Sequence, residues 1–381
     1  MNIISKGIRR FIKAKKYWRQ LPKVEIAIFD TFTGSYLIKL LHEYKCFAID
    51  LRGESYHIPT LICAALYWIF NFGKVSISIL YFEMLIIRLS PKICITHQDS
   101  HRLFYQLDKR LKCIRFIAIQ QGLKNIYTLD VFSKISGDYF AYGIAYANKL
   151  SNGLATMYVT GSIKSNMIEL GFKKNRVCII SNLTCEDDDL KLNAFKNVKF
   201  SEFIYPAVYS LTQEVDKFCN NNKIELVIAP KANRNDNYED HHPLFSREYI
   251  LYQNILHRKP TIIQGDSYEI AGNSEMIVTD SSALGYELLG RGCKVVFLNM
   301  TCHYHSERSF GFGWPLDLPD QGFFWTNKYD QEYIQNMLLR VLGASDLDWK
   351  KEIAPIQQML MHYDKNNLIL LSHIDKVINS R

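Results

Sequence analysis

Several signatures are missing from this 381-residue sequence, and each absence closes off a class of function. It holds no Walker A loop, GxGxxG fingerprint, GxSxG elbow, HExxH pair or kinase set, which lowers the NTPase, dehydrogenase, hydrolase and metalloprotease readings. The nine cysteines show no CxxC spacing. Cys46, Cys94, Cys113, Cys178 and Cys293 fall in or beside predicted strands and read as small buried apolar residues in a reducing cytoplasm, not as a zinc site or disulfide framework. No module for reading duplex or RNA is visible, so nucleic acid is not an expected partner. There is also no low-complexity tract, and no apolar run reaches the length of a bilayer span. The strongest such runs, 58–72 and 75–89, are short, and the second contains Glu83 and Arg88. They are expected to be two buried helices of an α/β domain.

What is present is a globular composition: 48% hydrophobic and 22% charged, in a chain whose length favours two domains. The aromatic content, 13% with 23 Tyr and 22 Phe, suits carbohydrate stacking, although the bias of an AT-rich genome explains it equally well. The formal charge is +8, concentrated at the start. Residues 1–19 carry seven Lys or Arg and no acid, with Ile4, Ile8, Phe11 and Ile12 at helical spacing. Such a segment suits peripheral contact with an anionic membrane, with a basic helix packed on its own domain as the alternative. It lacks the apolar core and cleavage site of a secretory signal, so a cytoplasmic protein at the inner membrane face is expected.

Along the chain, apolar β-branched runs alternate with helical patterns. Strands are predicted at 24–30, 46–50, 92–96, 114–119, 138–142 and 157–160. After a GFKKNR turn at 171–176, a second series falls at 177–181, 224–229, 261–264, 276–279 and 294–298. Polar residues collect at strand carboxyl ends, as in a parallel sheet. The stretch MIVTDSSALGYELLGRGCKVVFLNM, 276–300, organises the second series. Its strands lie about 14 residues apart, which suits a helical crossover and not a hairpin. Ser281 or Ser282 is placed as N-cap at the carboxyl end of the sheet, where helix amides favour anions. Glu287, one turn in, is a candidate acceptor for sugar hydroxyls. Residues 302–325 read as too polar and irregular for a core element. Helices follow at 330–342, 353–363 and 368–379. The expected division is a basic segment (1–20), a first Rossmann-like domain (21–173), a second (174–345) and terminal helices (346–381).

DLRGESYHIP, ITHQDS followed by IAIQQG, YVTGSIKSN, TDSSALGYELLGRGCKVVFLN and FGWPLDLPDQGFFW occur in this order over nearly the whole chain. Together they resemble bacterial surface-carbohydrate biosynthesis proteins, regarded as GT-B-like glycosyltransferases for lipopolysaccharide or capsule. The resemblance implies an α/β fold of two Rossmann-like domains facing across a cleft, with donor on the second half and acceptor entering between. Nucleotide-sugar and a glycan or lipid-linked glycan acceptor are the implied partners. The Ser-Ser pair also resembles that of transferases using CMP-linked sialic acid or Kdo. There a serine pair binds donor phosphate and a His-Pro histidine assists. Ser281 and Ser282 match the pair, and His242-Pro243 is the sequence's only His-Pro, although EDHHPLF does not clearly follow a strand.

Glycosyl transfer needs a base for the acceptor hydroxyl and positive or N–H groups for the departing phosphate. For the phosphate the candidates are the 281–283 helix start, Lys231 and Arg308, with His303 and His305 near the same cleft or on the surface. For the base they are Asp30, Asp50, Glu54, His97, Asp99 and His101, with Glu54 and Asp99 chosen because each sits in a resembling motif. Asp50, Arg52 and Glu54 could equally form a structural ion pair. Gly161-Ser162 opens another helix and is either a ligand site or a plain cap. Asp187-x-Asp189 matches a metal-binding DxD, but its distance from a strand favours an exposed acidic loop. No metal or cofactor is expected, the nucleotide-sugar being a substrate. The function read from this is sugar transfer to a surface-glycan precursor. Its rivals are transfer of an alditol phosphate from a CDP donor and a non-catalytic sugar-nucleotide-binding scaffold.

Overall fold

The computed structural model describes residues 11–31, 34–70, 72–126, 136–151, 153–182, 200–231, 243–305 and 307–380. Two wholly parallel sheets dominate it. The first lobe contains β1 (Lys15–Tyr17), β2 (Ile26–Phe29), α1 (Ser35–Leu40), β3 (Cys46–Ile49), β4 (Ser55–His57), α2 (Ile58–Phe70) and α3 (Ile77–Leu89). It continues with β5 (Ile93–Thr96), α4 (Arg102–Arg110), β6 (Arg115–Ile119), β7 (Gly137–Ala141), α5 (Ile144–Leu150), β8 (Ala155–Val159) and α6 (Ile163–Met167). The second lobe holds β9 (Lys174–Ile180), α7 (Phe200–Asn222), β10 (Glu225–Ala229), α8 (Pro243–Leu256), α9 (Ser267–Gly272) and β11 (Ser274–Thr279). Then come α10 (Ala283–Gly290), β12 (Val295–Leu298), α11 (Met300–His305), β13 (Trp325–Thr326), α12 (Gln331–Gly343), α13 (Asp346–Leu360) and α14 (Leu368–Asn379).

The first sheet runs β3-β2-β5-β6-β7-β8 and the second β10-β9-β11-β12-β13. Their central strands are β-branched and buried on both faces, as parallel strands under helical cover must be. In each lobe the chain winds first to one side of its opening strand and then returns to the other. This leaves a topological switch point between β2 and β5, and another between β9 and β11.

The last helices do not stand apart. On α13, Gln357 donates to the carbonyls of Leu289 (2.9 Å) and Gly290 (3.1 Å), which holds it on the second lobe. The chain then crosses over: the His362 amide donates to Tyr142 O at 2.8 Å, and Tyr363 bridges Gly161. Gly161 has φ +73°, and any Cβ there would drive into the His362 carbonyl. Beyond it, α14 packs Leu370, Ile374 and Ile378 into the core beneath the first sheet.

Four expectations need correction. Residues 261–264 make only an isolated bridge, Ile228 to Ile262. β9 begins at Lys174, inside the stretch read as a turn. The aromatic region after Met300 contributes core: Phe312 stacks on Trp325 (centroids 5.0 Å apart), and Phe324 and Trp325 are buried. Helix α2 is not a buried helix, because its last turn is exposed throughout. Cys94, Cys178 and Cys293 are buried as expected, whereas Cys46 is half-buried and Cys113 is exposed.

Candidate functional site at the second switch point

β11 ends at Thr279, and its three following residues build the rim of the second lobe. Asp280 is buried and accepts from the Thr301 amide (2.8 Å), the Thr301 hydroxyl and Ser281 Oγ (3.1 Å). Burial raises its pKa despite these bonds. Asn182, just past β9, donates to Ser281 Oγ at 3.3 Å, so this hydroxyl spans the switch point itself. Ser282 is the N-cap of α10, with extended φ/ψ and no side-chain cap bond. Residues 281–284 are partly exposed while 285–290 are buried. The helix therefore presents its amino end to the opening and sinks the remainder. Close seating is possible because residue 285 is glycine: a Cβ there would lie 2.6 Å from Thr279 Cγ2. The first amides of a helix lack intrahelical acceptors, and here they meet an uncommitted serine hydroxyl.

Glu287 sits differently from the expectation. Its carboxylate accepts from the Tyr268 hydroxyl and from Ser162 of the first lobe, and burial raises its pKa. It closes the joint between lobes instead of facing an open sugar site. Arg291 strengthens that joint by donating to Ser165 O (2.6 Å) and Ile168 O. Arg308 is also committed, to Asp320 (2.8 Å) and the Leu318 carbonyl. Lys231 follows β10 with an exposed side chain, while its amide donates to buried Glu248 at 3.1 Å. Of the two nearby histidines, His303 is exposed and His305 packs between Phe203 and Phe310. His242 and the Asp187-x-Asp189 loop lie outside the described residues. Among the described residues no group of three His, Cys, Asp or Glu could hold a metal.

On the first lobe, Asp99 is fully buried. It takes Lys124 Nζ at 2.8 Å and Tyr139 OH at 2.6 Å, while its carbonyl accepts from Tyr105 OH at 2.6 Å. Those partners tie the loop after β5 to the body of the sheet. Glu54 is exposed, and its carboxylate has no partner among the described residues. Asp50 is a loop anchor, accepting from the amides of Arg52 (2.8 Å) and Ser55 (2.6 Å) beside a cavity of about 550 Å3. At the first switch point stand Asp30 and His101. The backbone at buried Asp30 is left-handed, with φ +94°. Burial lowers the His101 pKa against the opposing charge of Asp30, and its Nδ1 lacks a hydrogen-bond partner.

Lys164 is a further residue at the joint between the lobes. From helix α6 its ammonium lies 4.3 Å from the Tyr268 ring centroid and 5.3 Å from that of Tyr36, bridging the lobes by cation–π contact. Its signal was the YVTGSIKSN stretch, which Ser162 caps: the Ser162 hydroxyl accepts from the Ser165 amide.

The fold has known counterparts. The sequence profile of a family described as "putative O-antigen biosynthesis protein" matches residues 118–378. The chain belongs to that family. No curated protein matches it at a significant level. Among solved structures it is similar to a "putative UDP-N-acetylglucosamine 2-epimerase" of Listeria monocytogenes (TM-score 0.54, 14% identity, 95% of this chain and 98% of that one). It is also similar to the Neisseria meningitidis UDP-GlcNAc 2-epimerase bound to UDP-GlcNAc (0.50, 11%, 92% and 99%). A third is sucrose-phosphate synthase of Thermosynechococcus elongatus (0.51, 10%, 94% and 100%). At such identities the likeness establishes the fold, GT-B-like with two Rossmann-like domains. Family and fold together support a role for this chain in glycan assembly.

Proposed function

We propose that the chain transfers a sugar from a nucleotide-activated donor to a lipopolysaccharide or related surface-glycan precursor. The observation that carries this reading is the partly exposed, serine-capped start of α10 at the switch point between β9 and β11. A donor's phosphates resting there gain unpaired amides, the helix dipole and the Ser281 and Ser282 hydroxyls. Lys231, at the end of neighbouring β10, adds positive charge as the nucleotide leaves. The N. meningitidis relative of this fold carries UDP-GlcNAc, which supports a nucleotide-sugar as donor here.

In the transfer the acceptor hydroxyl attacks the anomeric carbon. A new C–O bond forms, the C–O bond to phosphate breaks, and the nucleotide departs with that electron pair. The hydroxyl proton goes to a base on the first lobe. Among the sequence candidates His101 suits that step better than Glu54 or Asp99, because burial lowers its pKa and so favours the neutral ring, and its buried Nδ1 makes no hydrogen bond. Asp99 then acts as a positioning residue, and Glu54 remains an exposed acid on the loop before β4. No metal step is included, since helix amides and Lys231 supply the charge that the leaving phosphate needs.

The test is product analysis with a panel of UDP-, CMP-, CDP- and GDP-linked donors and a lipid-linked glycan acceptor. A glycosidic product, reduced at least about tenfold by Ser281→Ala/Ser282→Ala, supports transfer. A phosphodiester product would establish alditol phosphate transfer instead. Nucleotide binding without turnover on any acceptor would leave a scaffold.

A further inference from the structure

Helix α2 carries an apolar stripe that is exposed among the described residues. Ile62, Leu66, Ile69 and Phe70 recur at helical spacing on one face, and all four are exposed. Its buried face is short, made by Ile58, Thr60 and Ala64. Trp68, which continues that face, already protrudes past the core at 41% exposure. Past the helix end, Phe72 is 91% exposed, and Gly73 turns the chain back by donating to Trp68 O at 3.0 Å. From Ile62 to Phe70 the stripe makes a ridge about 12 Å long. A contiguous apolar ridge of this kind marks a docking surface.

Charge identifies what docks. β1 pairs in parallel register with β4, which runs straight into α2. The basic segment is thereby fastened to the root of the apolar helix. Between residues 11 and 23 it carries Lys13, Lys15, Lys16, Arg19 and Lys23, all exposed, and no acid. Trp18 lies there 65% exposed, beside Pro59 in the first turn of α2. No acid occurs from 58 to 82 either. Meanwhile no helix among the described residues is long and apolar enough to cross a membrane. An apolar stripe flanked by cations and an aromatic of amphipathic character fits the headgroup boundary of an anionic bilayer, entered from one side.

We propose that α2, with its following turn, is a monotopic membrane wedge that lies in an anionic lipid surface and is steered there by the 13–23 cations. The wedge is independent of the transfer reading, because it uses none of the residues at either switch point. It would hold the first lobe, and with it the acceptor side of the crevice, against the leaflet.

The experiment is co-sedimentation of the full chain with phosphatidylcholine vesicles, with and without phosphatidylglycerol. The protein should partition onto the anionic vesicles, and less so as salt rises. Phe70→Ser/Phe72→Ser should weaken partitioning at least about tenfold with an unchanged melting curve. Lys15→Gln/Lys16→Gln should reduce the preference for anionic lipid. If the serine variant misfolds, bilayer-brominated lipid should quench the wild type more than Trp68→Phe. The proposal is overturned by wild type that ignores anionic vesicles, or by a folded serine variant that binds equally well. Quenching identical with and without Trp68 overturns it too. So does a dimer on size exclusion that the serine variant converts to monomer, which would show a second copy covering the ridge.

Discussion

The two switch points are built on the same winding and finish in opposite chemistry. At the first, the acid after β5 is consumed by the protein itself, with Asp99 buried against Lys124 and Tyr139. At the second, the acid after β11 is also buried, but it secures Thr301 and Ser281 and leaves the Ser282 hydroxyl and the α10 amides toward the opening. One rim spends its charge on rigidity, and the other uses an acid as the foundation for a partly exposed helix start. Parallel topology thus sets where ligands can collect, and under the proposed transfer the local pairing of side chains would leave the phosphate to the second rim and the acceptor to the first.

The largest effect that would break this contrast is at the first rim. Lys124→Met leaves the buried Asp99 carboxylate without its cation and with the Tyr139 hydroxyl, and should cost about 3–5 kcal/mol of stability. Urea denaturation measures it, and an unchanged midpoint would deny Asp99 its anchoring role. Next, Gly285→Ala should cost about 1–3 kcal/mol, since the added methyl meets Thr279 Cγ2 and must lift the start of α10. The same variant should weaken nucleotide binding if the helix start is the phosphate site.

A smaller, pH-dependent effect concerns Glu287, whose folded pKa lies above its usual value through burial. The native state then holds this proton more tightly than the unfolded chain. Its contribution is full below the ordinary glutamate pKa and is lost as pH rises through the raised one. Melting temperature should therefore fall across that window, and Glu287→Gln should flatten the fall. His101 sharpens the comparison kinetically. Because its pKa is lowered, the acidic limb of the kcat/KM profile should lie below that of free imidazole, and His101→Gln should remove it. The smallest effect is on stability at the serine cap. Ser282→Ala should shift it by no more than about 0.5 kcal/mol, because the hydroxyl makes no cap bond.

Much of this was readable from sequence, and what was not has a common cause. β-branched runs such as IAIF, ICIT and VVFL announce buried parallel strands by composition alone. The serine pair after β11 was visible because a cap residue follows its strand directly. The partners of Glu287 and Arg308 are not legible in the sequence because they are remote: Ser162 lies in the other lobe, and Asp320 belongs to a loop without periodicity. The aromatic core around Phe312 and Trp325 was hidden in that same loop, where polar and glycine residues dilute the apolar signal. Helix α2 was taken for core because an apolar run reads alike whether protein or another phase covers it. His101 stood among six candidates, and only packing against Phe29 beside Asp30 distinguishes it.

The central claim rests on the amino end of α10, and a calorimetric titration tests it most directly. Wild type and Ser281→Ala/Ser282→Ala are titrated with UDP, CMP, CDP and GDP. At least one nucleotide should bind the wild type, and the double variant should lose about 1.5–3 kcal/mol of that affinity, roughly tenfold to a hundredfold, while remaining folded. Absence of binding by any nucleotide, or equal affinity in the double variant, would contradict the account.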